Sequence, residues 1–189
     1  MKIKVLMAAA LTAACVAQPA SAEEAKPFAG GHVDLEAGWG RVGGSRHAGD
    51  GFIYGGRAGY DIALSNIRVG PEVEITGSTQ KDCRPVAVNG ATVRSCQSSD
   101  RDLYAGGRIG YVVSPAVMLY AKAGYTNARF STRDGTADSV ARDRSGYRVG
   151  GGAEYAFSSR AYVSLEYRYS QYRSDTKQNQ IMGAVGVRF

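Results

Sequence analysis

Between residue 32 and the C-terminus, apolar and polar side chains alternate with a period of two in eight separate stretches. Val33, Leu35, Ala37 and Trp39 interleave His32, Asp34, Glu36 and Gly38, and Phe52, Tyr54, Ala58 and Tyr60 interleave Ile53, Gly55, Arg57 and Gly59. Ile67, Val69, Val73 and Ile75 alternate with Arg68, Gly70, Glu72 and Glu74, while Leu103, Ala105, Ile109 and Tyr111 oppose Tyr104, Gly106, Arg108 and Gly110. The set from Val117 to Tyr125 opposes Met118, Tyr120, Lys122 and Gly124, and the set from Tyr147 to Tyr155 opposes Arg148, Gly150, Gly152 and Glu154. Val163, Leu165, Tyr167 and Tyr169 oppose Tyr162, Ser164, Glu166 and Arg168, and Ile181, Val185, Val187 and Phe189 close the chain against Met182, Ala184, Gly186 and Arg188. Successive Cβ atoms of a strand point to opposite faces, so the pattern predicts eight strands with one apolar and one charged face.

A soluble sandwich would also alternate, and the charged face decides between the two. It mixes glycine with long charged side chains, as a narrow lumen requires, while the other face carries only apolar and aromatic residues, as lipid requires. Tyr60, Tyr111, Tyr155 and Phe189 are the last outward residues of alternate strands, and Trp39, Phe52, Tyr125, Tyr147 and Tyr169 fall at the opposite ends. Two aromatic girdles bounding an apolar band suit the two interfaces of a membrane. Connections alternate as well: 61–66, 112–115 and 156–160 are short, and 43–50, 78–101, 131–144 and 171–179 are longer and polar. The expected fold is all-β, an eight-stranded antiparallel up-and-down transmembrane β-barrel with both termini in the periplasm.

The first 22 residues do not share the alternation. Lys2 and Lys4 precede an apolar run from Val5 to Val16, and Pro19-Ala20-Ser21-Ala22 offers small residues for signal peptidase. The expected cleavage lies between Ala22 and Glu23, with Ala20 and Ala22 at the recognised small positions, leaving a barrel domain over 23–189. The apolar run is too short for a membrane helix, which needs about 20 apolar residues. Cys15 after Thr12-Ala13-Ala14 is an alternative lipidation site, lacking the usual branched aliphatic residue. Charge adds little: the formal +6 is never gathered into a Lys/Arg block, so nucleic acid is not an expected partner.

The Leu165-Glu166-Tyr167-Arg168-Tyr169 strand, the related segments 55–60 and 106–111 (Gly-Gly-Arg-x-Gly-Tyr) and the terminal Phe189 resemble small outer-membrane β-barrels. The similar families are the OmpA/OmpX-type eight-stranded barrels and the porin-family surface antigens of α-proteobacteria. The resemblance implies a bacterial outer-membrane location, lipid and lipopolysaccharide as surroundings, and a monomer. It also implies that Val185, Val187 and Phe189 form the signal read by the outer-membrane assembly machinery, although Ala184 stands where the pattern often has Gly.

Candidate chemistry is sparse. Gly38-Trp39-Gly40-Arg41-Val42-Gly43 satisfies G-x-G-x-x-G, but a dinucleotide site needs a following helix, and a turn-rich stretch follows instead. His47, beside Arg46, would be the obvious residue for an outer-rim enzyme or for haem, which some relatives bind; a solvated loop histidine is the simpler reading, and no cofactor or metal is expected. Cys83 and Cys96 share the longest connection, and an oxidising compartment favours a disulfide between them. Glu72 and Glu74 invite a glycosidase reading. Set among Asp34, Glu36, Arg57, Arg68, Arg108, Lys122, Arg148, Glu154, Glu166, Arg168 and Arg188, they are more simply part of a lumen charge network that fills a narrow barrel. The expected function is therefore that of a non-enzymatic surface protein serving envelope integrity. Its basic-biased loops would bind lipopolysaccharide, host or cell surfaces. The alternatives are a narrow porin-like channel for ions or small solutes and, more distantly, an outer-membrane enzyme.

Overall fold

The computed structural model describes residues 27–44, 47–79, 81–88, 91–134, 139–173 and 176–189. The signal segment and its cleavage residues Ala20, Ala22 and Glu23 lie outside them. Nine strands follow in order: β1 (Gly30–Gly44), β2 (His47–Leu64), β3 (Ile67–Ser78), β4 (Lys81–Val88), β5 (Ala91–Ser114), β6 (Val117–Asp134), β7 (Ser139–Ala156), β8 (Ala161–Tyr172) and β9 (Thr176–Arg188). Among the described residues there is no helix. All pairings are antiparallel, in the order β3-β2-β1-β9-β8-β7-β6-β5-β4, and an additional β3–β5 ladder closes the sheet on itself. Eight strands therefore form the barrel wall.

β4 is the ninth strand, and it stands outside that circuit. The stretch 78–101, expected as a loop, instead extends β5 upward and folds back as β4, with Lys81 opposite Ser98 and Val88 opposite Ala91. The other long connections shorten in the same way, because the ladders run on to Gly44↔His47, Arg133↔Ser139 and Tyr172↔Thr176. A membrane strand needs only about 9–11 residues, so β2, β5, β6 and β7, at 18 to 24 residues, overhang one end of the barrel. That end is called the hairpin end here. At the other, the turn end, Ser65–Asn66, Pro115–Ala116 and 157–160 join the strands. Ser65 takes the positive φ of 56° that a two-residue hairpin turn demands.

Burial is inverted relative to a soluble protein. Leu35, Trp39, Ile75, Leu165, Val185 and Phe189 are exposed on the outside, whereas Arg148, Glu154 and Arg168 are completely buried. Both girdles stand on the outer face, except that Tyr169 is only half exposed. Glycines on the inner face make room for larger neighbours: a Cβ on Gly186 would stand 2.6 Å from Tyr162 Cζ, and one on Gly152 3.0 Å from Tyr120 Cζ.

Candidate functional site: the charged lumen and the hairpin rim

Parity delivers the ionisable side chains to the lumen. Asp34, Glu36, Arg57, Arg68, Glu72, Glu74, Arg108, Lys122, Arg148, Glu154, Glu166, Arg168 and Arg188 are all buried there. Unpaired ions in so narrow an interior would each cost several kcal/mol, and the pairing is correspondingly dense.

Near the turn end, Asp61 accepts from Arg108 Nε (2.9 Å) and Nη2 (2.7 Å) and from Arg188 Nη1 (2.7 Å). Glu154 bridges the same two guanidiniums at 2.8 and 2.7 Å. At mid-height Arg57 donates to Asp34 (3.1 Å), Glu166 (2.9 Å) and Ser164 (3.2 Å). Lys122 lies 3.1 Å from Glu72 and 2.7 Å from Glu166 and also pairs with Glu74. Arg168 binds Glu36, Glu166 and Glu74. Toward the hairpin end Arg148 joins Glu74 (3.0 Å), Ser170 (2.8 Å) and Asp102, which also accepts from the hydroxyls of Tyr172 (2.7 Å) and Thr126 (2.5 Å). Aromatic faces fill between the charges: Arg108 lies 5.1 Å from the Tyr120 ring centre and Lys122 5.0 Å from that of Tyr104, a favourable cation–π arrangement.

The expected partners of Arg68 and the expected place of Asp61 need correction. Arg68 lies inside but outside the ion-pair network, since it donates to the carbonyls of Pro27 (2.7 Å), Ser65 (2.7 Å) and Ile67 (2.9 Å). It ties the turn end to the segment before β1 because it sits at the very start of β3, beyond the reach of the carboxylates. Asp61, expected in a turn, is a lumen anchor because β2 continues to Leu64. Asp102 was likewise missed. Both follow the parity of the nearest inward arginines, Arg57 and Arg108, and extending that parity by four or six residues would have found them.

The turn-end mouth is closed by the chain itself. Phe28 is buried, its carbonyl accepts from Arg188 (2.8 Å), and its ring lies 5.6 Å below that guanidinium. His32, also buried, has Nδ1 3.0 Å from Asp34 Oδ2.

As chemistry, this arrangement is a mutually paired ion network. Glu72 and Glu74 both hold Lys122, so neither resembles a free glycosidase acid. Residues 38–43 run straight along β1 into a hairpin with β2, leaving no helix N-terminus for a phosphate. The side chains of His47, Cys83 and Cys96 lie outside the described residues; the backbone register sets Cys83 directly opposite Cys96. On the outer rim, Arg41 grips Asp50 through two bonds of 2.9 and 3.1 Å, and the guanidinium holds that carboxyl below its usual range. At the seam, Val185, Val187 and Phe189 face outward, and Phe189 exchanges two 2.9 Å backbone bonds with Gly31.

Known proteins share this architecture. Neisserial surface protein A is 17% identical with a TM-score of 0.62, covering 84% of this chain and 97% of its own. The attachment invasion locus protein Ail of Yersinia pestis is 16% identical with a TM-score of 0.60, covering 86% of this chain and all of its own. In sequence, a 22 kDa outer membrane protein of Rhizobium leguminosarum bv. viciae is 30% identical over 95 residues, a match spanning 44% of this chain and 44% of that relative. The model of the outer membrane protein β-barrel domain matches residues 6–189. With the closed eight-stranded wall, the inverted burial and this match together, the chain belongs to the outer membrane protein β-barrel family.

Proposed function

We propose that this chain is a non-enzymatic surface protein of the outer membrane, in which the barrel is a scaffold for envelope integrity and the hairpin end binds. In this reading a signal peptide ending at Ala22 directs export, and Val185, Val187 and Phe189 address the assembly machinery. Both termini face the periplasm, and the hairpins meet lipopolysaccharide, host or neighbouring cells. One observation carries it: every buried carboxylate named above has a cation within ion-pair distance. Among the described residues every one of these lumen carboxylates is thus engaged by a cation, and Arg68 is the lumen cation held by carbonyls instead; the binding role is therefore assigned to the hairpins. Their sequences are basic on balance, with Arg46, Lys81, Arg84, Arg94, Arg101, Arg133, Arg142, Arg144, Arg173 and Lys177 outnumbering the acids, and Arg suits phosphate through its bidentate fork.

The test is to replace residues 81–98 and 131–141 by short turns. Insertion and heat-modifiable gel mobility should persist, while adhesion and lipopolysaccharide association fall and become weaker still in salt. Trimmed protein that adheres and supports the envelope as well as wild type leaves only the scaffold role. Steady nanosiemens-scale conductance from pure protein in planar bilayers would instead favour the channel.

A further inference from the structure

Two arginines on the outside of the barrel stand where charge pairing alone does not account for them. Arg101 of β5 and Arg129 of β6 are direct cross-strand partners, both exposed and both on the outward parity. Like charges directly opposite destabilise a ladder. Among the described residues neither guanidinium forms an ion pair, whereas Arg41, on the opposite wall, is locked to Asp50. The register is shifted between Ser99 and Arg101, and such bulges commonly re-aim a side chain; here the residue presented outward is Arg101. Asp143 opposes Arg129 from β7, and Arg173, whose N–H donates to the Ser145 carbonyl at 3.1 Å, is exposed one strand further on. Among the described side chains the patch thus holds three guanidiniums and one carboxylate.

Its height is set by the ladder. In β6 the row lies four residues beyond Tyr125, whose cross-strand partner is Tyr147. At about 3.4 Å per residue and a tilt of about 40°, it stands about 10 Å above the girdle. That is within an arginine's reach of the headgroup layer.

We propose that Arg101 and Arg129, supported by Arg173, form a cradle for a lipid-borne phosphomonoester, the phosphate of a lipid A headgroup at the outer membrane boundary. A bridging dianion turns the repulsive Arg–Arg pair into two charge-assisted forks. Asp143 sets the upper limit on affinity by competing for Arg129. The cradle deepens the binding role proposed above and rests on its orientation, but it places lipid recognition on the barrel wall below the hairpin tips.

The test uses full-length protein in phosphatidylcholine nanodiscs doped with bis-phosphorylated lipid A, with retention read by native mass spectrometry and folding by heat-modifiable mobility. Arg101→Gln with Arg129→Gln should lower retention about tenfold, the loss of roughly one charge-assisted interaction. Asp143→Asn should raise retention, Arg41→Gln should leave it unchanged, and dephosphorylated lipid A should not distinguish wild type from the double variant. Undiminished retention by the folded double variant overturns the cradle, as does equal binding of inorganic phosphate with no preference for lipid A. If the double variant does not fold, Asp143→Asn decides, and no gain there rejects the proposal. The hairpin-trimmed protein separates the two readings because it keeps all four residues. Retention that survives trimming but not the double substitution supports the cradle and removes lipid binding from the hairpins; the reverse pattern overturns the cradle and leaves the hairpin reading standing.

Discussion

Glu166 accepts from Arg57, Lys122, Arg168 and the Tyr120 hydroxyl, so its loss breaks more pairs than that of a singly paired carboxylate. Glu166→Ala is expected to destabilise the barrel by about 3 to 5 kcal/mol, the range for breaking a buried pair. The lower end applies because Arg57 keeps Asp34 and Lys122 keeps Glu72. Urea unfolding in lipid vesicles measures it, and a loss below 1 kcal/mol would mean that water fills the gap and screens the stranded cations. Packing sets a second limit at this scale. Gly186→Val must displace both the Asp34 carboxylate, whose Oδ1 lies closest to the added Cβ position, and the Tyr162 ring, whose Cζ lies 2.6 Å from it. A cost of about 1 to 3 kcal/mol follows from overpacking, visible as reduced refolding yield, whereas Gly43→Val meets nothing nearby and should be silent.

At the level of elements, the β4–β5 hairpin is an appendage to a barrel that closes without it. Cα atoms of directly opposed residues lie about 4.5 to 5.5 Å apart, within the span a disulfide bridges. The register Cys83↔Cys96 therefore suits the proposed bond. In the chain-entropy account a loop of this size gains about 3 kcal/mol, felt by the hairpin and not by the wall. Mass spectrometry of protein from intact cells should find the two cysteines joined, and reduction should leave heat-modifiable mobility intact; two free thiols would reject the bond. The segment before β1 acts at the other end. Phe28→Ala removes the ring beneath Arg188 and should loosen the mouth, read as faster hydrogen exchange at Gly30 and Gly31 with little change in the hairpins.

The whole molecule is a closed wall around a polar interior, with lipid as the solvent for its apolar side. Because its lumen charges, Arg68 apart, are mutually engaged, wild-type protein in planar bilayers should pass no steady nanosiemens current. A variant lacking both Glu166 and Arg168 should leak, since their removal empties adjoining space at mid-lumen. Closure itself depends on the β1–β9 seam, from His32↔Arg188 to Gly43↔Lys177. Phe189 extends that seam through its two bonds to Gly31, so deleting it should slow assembly in cells more than it lowers the stability of refolded protein.

Period-two alternation was enough to determine the eight wall strands, the faces of the wall, both girdles and most of the charges that enter the lumen, because a strand's side-chain direction is a local property of its backbone. Partners were not local. Glu36 meets Arg168 across 132 positions of sequence, and Arg57 chooses Asp34, Glu166 and Ser164 only once strand stagger fixes their heights. The same dependence explains why Arg68 pairs with carbonyls instead of carboxylates, the missed Asp61 and Asp102, and the hairpin read as a loop. How far a ladder extends is settled by cooperative pairing with neighbours, which polar sequence does not forbid. The Arg101–Arg129 pair is likewise a product of register: 28 residues separate them in the chain, and only the β5–β6 ladder, bulge included, sets one against the other.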